Sequence, residues 1–541
     1  MTVPESTLPT LISPHNRALP LLTLTDLRIL ETQAAAALPQ HTLMSRAGKA
    51  AASYLQEQLT RDTSIEKSKH KVWVVAGPGN NGGDALIVAA ELHQAGIAVD
   101  LCMPLEVKPD DARWALDTAR AAGVAITSTP PASLESYTWL VDGMFGIGLT
   151  RPLEGVFATI ARQFSQRTKA KSRRGGVLAL DTPSGLDSDT GTVVGEKPDQ
   201  GGARSENQND GAAVHATHTI TFIGAKPGLF TAQGRDLAGT VTVAPIGIDS
   251  TTRTAVQLNA PALFADFLPP RDFATNKGTF GSLAVVGGDT GMCGAPILAS
   301  RAALYTGAGK VHVALLGDGA PPYDPPHPEL MLHAIDDLPL DKMDALAVGC
   351  GMGLRDIATR VMHDVLPLDV PKLFDADALN LISTDPSLAA QVTARGVQGD
   401  PCVLTPHPLE AARLLGTDAP GVQRNRLAAA RALAARFAAV VVLKGTGTVI
   451  AAPDGRVAIN PTGNAALATG GTGDVLGGII GALLAQHLPR YEAALAGVYL
   501  HGLAADTLSA QDHGPAGLTA GELAPMVRTL LNRMFYPAAG G

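Results

Sequence analysis

Residues 71–96 read KVWVVAGPGNNGGDALIVAAELHQAG. After its first residue, the run KVWVVA at 71–76 is continuously apolar, the pattern of a strand buried on both faces. Residues 84–95 suit a helix that stops at Gly96. The junction between them is Gly77-Pro78-Gly79-Asn80-Asn81-Gly82-Gly83-Asp84. Glycines there let the backbone take positive φ and approach a ligand closely. The free amides of the following helix start favour phosphate. A lone Gly-rich turn reads as an ordinary Asn-Gly turn; eight such residues at a strand-to-helix junction favour a ligand loop.

The same alternation continues outward. Strands are expected at 97–103, 137–141, 176–180, 218–223 and 240–244, with a helix at 111–122. This implies a mostly parallel sheet covered by helices. Residues 196–213, EKPDQGGARSENQNDGAA, break the pattern and read as a polar surface insertion. A linker is expected between Asp249 and Pro269, and the alternation then restarts. Further strands are expected at 282–286, 311–315, 344–348, 372–374, 402–404 and 440–443, with helices at 295–306, 474–486 and 491–508. The halves share an architecture but no internal repeat. The expected domains are 1–260 and 261–541.

Composition agrees. A chain of 541 residues exceeds what one core usually serves. Hydrophobic residues make up 45% and charged residues 17%, a globular balance. A net charge of −8 argues against a nucleic-acid track, and the basic run at 169–174 reads as a solvated loop. Cys102, Cys293, Cys350 and Cys402 show no CxxC spacing, so neither a zinc site nor a disulfide framework is expected. The first twenty residues lack the apolar core of a signal peptide, and no run approaches a membrane span. A cytoplasmic location is expected, with no membrane or nucleic-acid partner.

Two strand ends carry carboxylates. Asp142 is followed by Gly143-Met144-Phe145-Gly146-Ile147-Gly148-Leu149, and Asp181 by Thr182-Pro183-Ser184-Gly185-Leu186. Ligands of open α/β sheets gather at such ends, although a single aspartate there can equally be a cap or turn residue. GPGNNGGD, DGMFGIGL and DTPSGLD, in this order, resemble the epimerase domain of the NAD(P)H-hydrate repair family. LMSRAG at 43–48 and KPGL at 226–229 match as well. The resemblance implies a Rossmann-like three-layer domain. It implies that Asn81, Asp142 and Ser184 hold K+ and that Asp181 is the acid/base. Asn80, Asn81, Gly82, Gly83 and Asp84, with Gly146, Ile147, Gly148, Leu149, Thr150, Arg151 and Pro152, would bind the dinucleotide. Ala85 stands where the family usually has glycine and is expected to crowd the loop slightly.

In the second half, NAALATGGTGD at 464–474 precedes an apolar helix. Its glycine amides form a natural anion hole, and Asp474 sits where a base would meet a substrate hydroxyl. KGTFG at 277–281, FDADALN at 374–380, TPHPLE at 405–410 and KGTGT at 444–448 accompany it. Together they resemble the dehydratase domain of the same family, similar in fold to ribokinase-type kinases, so the chain as a whole is expected to be α/β with a ribokinase-like second domain. The resemblance implies that Asp474 is the general base. Lys444, Gly445, Thr446, Gly447, Thr448 and Gly473 would contact the adenine nucleotide, and Ala295, Gly353 and His407 would line the hydrate pocket. Two departures are Gly349-Cys350-Gly351-Met352-Gly353, where Gly-Pro-Gly-Leu-Gly is usual, and Leu409 in place of glycine.

The function implied is repair of hydrated NADH and NADPH (NADHX and NADPHX). The R and S hydrates would be interconverted, and the S-hydrate dehydrated at the expense of ADP with Mg2+. A homo-oligomer is expected. Two rivals remain at this point: a kinase that releases a stable phosphate ester, and a binding module that has lost turnover. KGTFG and TPHP weigh against the first, and the presence of Asp84, Asp142, Asp181 and Asp474 against the second.

Overall fold

The computed structural model describes residues 11–63, 66, 69–169, 175–196, 211–250, 254–318, 322–512 and 514–536. The expected surface loop at 169–174 and the polar insertion lie almost entirely outside them. The chain divides into two compact units. The first comprises Met1–His15 and Leu19–Val256; the second comprises Asn16–Ala18 and Gln257–Gly541.

The first unit runs α1 (Leu24–Ala37), α2 (Thr42–Arg61), β1 (Lys71–Ala76), α3 (Asn80–Gln94), β2 (Ala98–Cys102), α4 (Asp110–Ala121), β3 (Ile126–Thr127), β4 (Trp139–Gly143), α5 (Gly155–Lys169), β5 (Gly176–Leu180), β6 (His218–Phe222), α6 (Gly234–Leu237) and β7 (Thr240–Ala244). Its sheet has the order β3-β2-β1-β4-β5-β6-β7, and every pairing is parallel. Strand β1 explains the layering. Val72, Val74 and Ala76 belong to an apolar cluster that includes α2, α3 and α4, while Trp73 and Val75 belong to one that includes α5. Alternate residues thus bury opposite faces, which gives three layers. The chain reverses direction across the sheet between β1 and β4, and Val75 is paired with Asp142 there. A ligand crevice is expected outside the carboxyl ends of those strands.

The second unit contains β8 (Val256–Leu258), β9 (Ser282–Gly287), α7 (Gly294–Thr306), β10 (Lys310–Leu315), β11 (Met331–Ala334), β12 (Ala345–Val348), α8 (Asp356–Val365), β13 (Lys372–Phe374), α9 (Ala376–Thr384), α10 (Pro386–Val397), β14 (Val403–Leu404), α11 (Pro408–Leu415), α12 (Ala419–Arg424), α13 (Arg426–Phe437), β15 (Val440–Leu443), β16 (Val449–Ala451), β17 (Val457–Ile459), α14 (Thr472–Ala485), α15 (Arg490–Gln511) and α16 (Ala520–Phe535). The sheet order is β11-β10-β9-β12-β13-β14-β15-β16-β17-β8. Pairing is parallel from β11 through β15 and antiparallel from β15 to β17. Here the direction reverses between β9 and β12. Helices α7, α14, α15 and α16 share one apolar cluster with the sheet. Nearly every residue of α14 is buried, so its first turn is rigidly based.

All four cysteines are free. Among the described residues, no helix is long and apolar enough to cross a membrane.

Candidate active sites

Strand β1 passes directly into Gly77-Pro78-Gly79, and α3 begins at Asn80. Asn80–Asp84, expected as loop, are therefore the opening turns of a helix that starts four residues early. Glycine is a weak helix former, which hides this start in the sequence. The structure shows what the glycines do. A Cβ on Gly82 would lie 1.9 Å from the Gly77 carbonyl oxygen, and one on Gly83 would lie 2.7 Å from Met44 and 3.0 Å from Ala112. Both allow close packing and neither lines the cavity. Ala85 is fully buried and faces Gly143. It fills space beneath the site and is not among the residues that line it.

Asp142 closes β4 and is fully buried. Its Oδ1 accepts from the Ser184 hydroxyl at 2.6 Å and from Met144 N–H at 3.2 Å, and its Oδ2 accepts from Ser184 N–H at 2.8 Å. Burial pushes its carboxyl up to about 6 against the pull of these bonds. Asn81 is buried with neither side-chain amide atom hydrogen-bonded. Such an orphaned group costs about 1–3 kcal/mol and calls for a partner. A Cβ on Gly146 would lie 3.3 Å from Asn81 Oδ1 and 3.2 Å from Asp181 Oδ2, so the bare glycine keeps a space open between these oxygens.

Asp181 follows β5 with φ +66°, a left-handed conformation that is strained for a residue with a side chain. Its N–H donates to Ile220 O at 2.7 Å. Its Oδ1 accepts from Lys226 Nζ at 2.5 Å and from Phe222 N–H at 3.2 Å. Lys226 is 1% exposed and also donates to Thr221 Oγ1 at 2.6 Å and to Phe222 O at 2.8 Å. The lysine thus ties Asp181 to β6, whose Thr221 and Phe222 it also bonds.

Asn81, Gly146, Asp181 and Lys226 border a cavity of about 570 Å3. Of the expected residues, Asn80, Asn81, Asp84, Gly146, Ile147, Gly148, Leu149 and Asp181 line it. Thr150, Arg151, Pro152, Gly82, Gly83, Asp142 and Ser184 do not; Asp142 and Ser184 are wholly buried, and Pro152 sits against Gly195. Burial drives the Asp84 carboxyl well above the ordinary range, and the charge of Asp181 adds to the effect. Lys226 and Glu31 line the cavity without having been assigned to it from sequence. KPGL held a signal for the lysine; Glu31 lies in no motif.

In the second unit, the Gly349-Cys350-Gly351 turn leaves β12 at the reversal point. The Cys350 carbonyl accepts from Gly288 N–H at 3.0 Å and that of Gly351 from Asp289 N–H at 2.7 Å, tying the turn to the end of β9. Asp474 stands in the first turn of α14. Burial raises its carboxyl; the Cys350 thiol opposes this, Asp375 adds to it and Lys444 opposes it. Lys444 Nζ bonds Asp375 Oδ1 at 2.6 Å, and a Cβ on Gly473 would lie 3.6 Å from that nitrogen. Asp474, Gly473 and Lys444 are thus brought together, with Asp375 and Cys350 as neighbours that the sequence reading did not assign.

The Lys444–Thr448 turn has positive φ at Gly445 (+129°) and Gly447 (+62°). Its first carbonyls are held by the buried Arg426, which donates to Leu443 O at 3.0 Å and Lys444 O at 3.1 Å. Thr448 Oγ1 donates to Gly445 O at 3.1 Å. Gly353 N–H donates to Asp377 Oδ2 at 2.8 Å. Ala295 lies against Gly351, where a Cβ on the glycine would be 3.3 Å from the alanine methyl. His407 caps α11: its Nδ1 accepts from Leu409 N–H at 3.1 Å and Glu410 N–H at 3.3 Å. Burial and then the Lys444 charge lower its basicity. Leu409, the departure from glycine, supplies one of these capping amides, and its side chain is exposed.

Each unit matches a known protein family. Residues 40–228 match the YjeF-related protein N-terminus model, and residues 283–527 match the NAD(P)H-hydrate dehydratase model. The Bifunctional NAD(P)H-hydrate repair enzyme Nnr of Escherichia coli (strain K12) is 36% identical over 94% of this chain and 93% of its own length. The ADP-dependent (S)-NAD(P)H-hydrate dehydratase of Neisseria meningitidis serogroup B is 50% identical over 48% of this chain and 88% of its own. A solved ADP/ATP-dependent NAD(P)H-hydrate dehydratase from Bacillus subtilis, co-crystallised with ATP and Mg2+, is 33% identical over 51% of this chain and 98% of its own, with a TM-score of 0.46. At this identity across nearly the whole length of both proteins, the chain belongs to the family of bifunctional NAD(P)H-hydrate repair enzymes.

Proposed function

We propose that the first unit interconverts the R and S hydrates of NADH and NADPH, and that the second dehydrates the S-hydrate at the expense of ADP, giving NAD(P)H, AMP and phosphate. The observation that carries the reading is Asp181. It is strained, ion-paired to a buried lysine and set in the wall of a cavity large enough for much of a dinucleotide.

K+ fits the first site, because Asn81 offers an orphaned buried amide oxygen beside an open space, and oxygen donors suit a hard cation. Asn81, Asp142 and Ser184 would hold it, and its charge would offset that of the substrate phosphates. The protein does the rest. Amides at the start of α3 face the phosphates, and Asp181 moves a proton at the C6 hydroxyl.

In the second unit, Asp474 takes the proton of the C6 hydroxyl. That oxygen attacks the terminal phosphate of ADP, and the amides of Gly471–Gly473 meet the developing charge. Phosphate then leaves C6 as a proton leaves C5, restoring the double bond. Lys444 and its turn face the nucleotide, whose phosphates would carry Mg2+. Support for ADP comes from the half-identical dehydratase named for it.

The test is to incubate the chain with mixed hydrate epimers, ADP or ATP, Mg2+ and K+, and to follow the return of reduced-nicotinamide absorbance. Full recovery is expected. Recovery that stops at the S fraction removes the epimerase. A stable phosphorylated product in place of recovery indicates a kinase.

A further inference from the structure

Helix α1 faces the first cavity with Leu24, Arg28, Glu31, Thr32 and Ala35, positions that share one helical face. Leu27 is its only buried residue, so this helix contributes a wall to the cavity more than it contributes to the core. Its start is fixed. Thr23 and Asp26 form a capping box, and Leu24 N–H donates to Asp189 Oδ1 at 2.8 Å. Glu31, two turns on, is thereby held in the wall, while Asp181 stands at the strand end below.

Glu31 is half-buried, and among the described residues its side chain has no hydrogen-bond or ion-pair partner. The charges that act on it are those of Asp181 and Lys226 in the same cavity and Arg28 one turn earlier. Burial raises its carboxyl and Asp181 adds to this, whereas Lys226 and Arg28 oppose it. Of the carboxyls that line the cavity, Asp181 is tied to a lysine and Asp111 to His41, while Asp84, at the start of α3, and Glu31, on the α1 wall, have no such partner among the described residues; Asp181 and Glu31 thus stand in the contrasting settings that an acid and a base sharing one site require.

We propose that Glu31 is the second catalytic group of the epimerase site, the acid that complements Asp181. The inference rests on the epimerase reading. In the hydrate, C6 carries the hydroxyl and is bonded to the ring nitrogen N1. Glu31 gives its proton to that hydroxyl. The C6–O bond breaks with its electron pair staying on oxygen, and water forms. The N1 lone pair becomes the N1=C6 double bond, leaving a flat carbon. Water adds to the other face, the double-bond pair returns to N1, and Asp181 takes the proton that water releases. One proton passes from Glu31 to Asp181. The reverse passage of the other epimer, or exchange with solvent, restores both.

The experiment uses the full chain with K+, pure R-hydrate and, in parallel, pure S-hydrate. Glu31→Gln is expected to slow conversion of the R-hydrate by about a hundredfold or more, with KM little changed. ADP-dependent dehydration of the S-hydrate should stay at the wild-type rate, and unchanged melting of the first unit by calorimetry should show that the unit carrying the substitution is folded. Glu31→Asp should recover part of the loss. Without ADP and in H2 18O, the wild type should place 18O at C6 faster than the uncatalysed exchange, and Glu31→Gln should not. A Glu31→Gln variant that epimerises at the wild-type rate, or wild-type epimerisation that retains the original oxygen, overturns the proposal. A wild type that leaves the R-hydrate unconverted overturns the epimerase reading itself, and the role of Glu31 with it.

Discussion

Asp181 and Asp474 occupy comparable places in the two units, each near the point where a parallel sheet reverses its strand order, but their neighbouring lysines are used differently. Lys226 bonds Asp181 directly at 2.5 Å. Lys444 bonds Asp375 at 2.6 Å, which leaves Asp474 among a thiol, two further carboxylates and a lysine already engaged. The sheet brings a carboxylate to the ligand; the partner of the nearby lysine sets the field that the carboxylate feels. Asp181 is built as half of an ion pair, whereas Asp474 is built as a raised acid that shares its charge environment.

The largest effects should come from the carboxylates themselves. Asp474→Asn should cut dehydration by about a thousandfold or more and leave epimerisation intact, and Asp181→Asn should do the reverse. Both rates are measured on each pure epimer, and equal loss of both activities in either variant would break the comparison. Next is Lys226→Met. Removing one partner of a buried pair costs about 3–5 kcal/mol, so calorimetry should show the first unit melting earlier. A variant that keeps wild-type melting and epimerisation would show the pair to be incidental.

Gly146→Ala is a milder test. The new methyl would stand 3.2 Å from Asp181 Oδ2 and 3.3 Å from Asn81 Oδ1. Epimerisation should fall about tenfold, with a weaker response to K+ and no change in dehydration. The smallest effect concerns pH. A base works only when ionised, and a raised carboxyl takes up its proton at a higher pH. The acid limb of dehydration should therefore lie above the ordinary carboxylate range. Cys350→Ala removes an influence that lowers the Asp474 carboxyl, so the limb should move further up. A pH–rate profile unchanged by that substitution would separate Cys350 from the base.

The alternating strands and the places of Asp181 at a strand end and Asp474 at a helix start were legible in the sequence because each is carried by a contiguous run: KVWVVA before the glycines, GVLAL before Asp181, GTGD at the start of α14. What was hidden is non-contiguous. Lys226 meets Asp181 across 45 residues of chain and Lys444 meets Asp375 across 69, and no local pattern encodes such pairings. Asn80–Asp84 looked like loop because glycine disfavours helix in isolation, whereas here the close approach of Gly82 to Gly77 requires it. Strands β16 and β17, three residues each, were not assigned from the sequence. His407 reads as a substrate group, yet its Nδ1 caps α11, a role that only the geometry reveals.

The sparse burial of α1 has a kinetic consequence. Helix α3, with ten buried residues, is welded to the sheet; α1 buries only Leu27. Segments with few apolar contacts open locally at low free energy. The backbone amides of α1 should therefore exchange hydrogen well before those of α3, and a bound dinucleotide should slow them. The wall that carries Glu31 is then also the side of the cavity that yields when a large, charged substrate has to enter and leave.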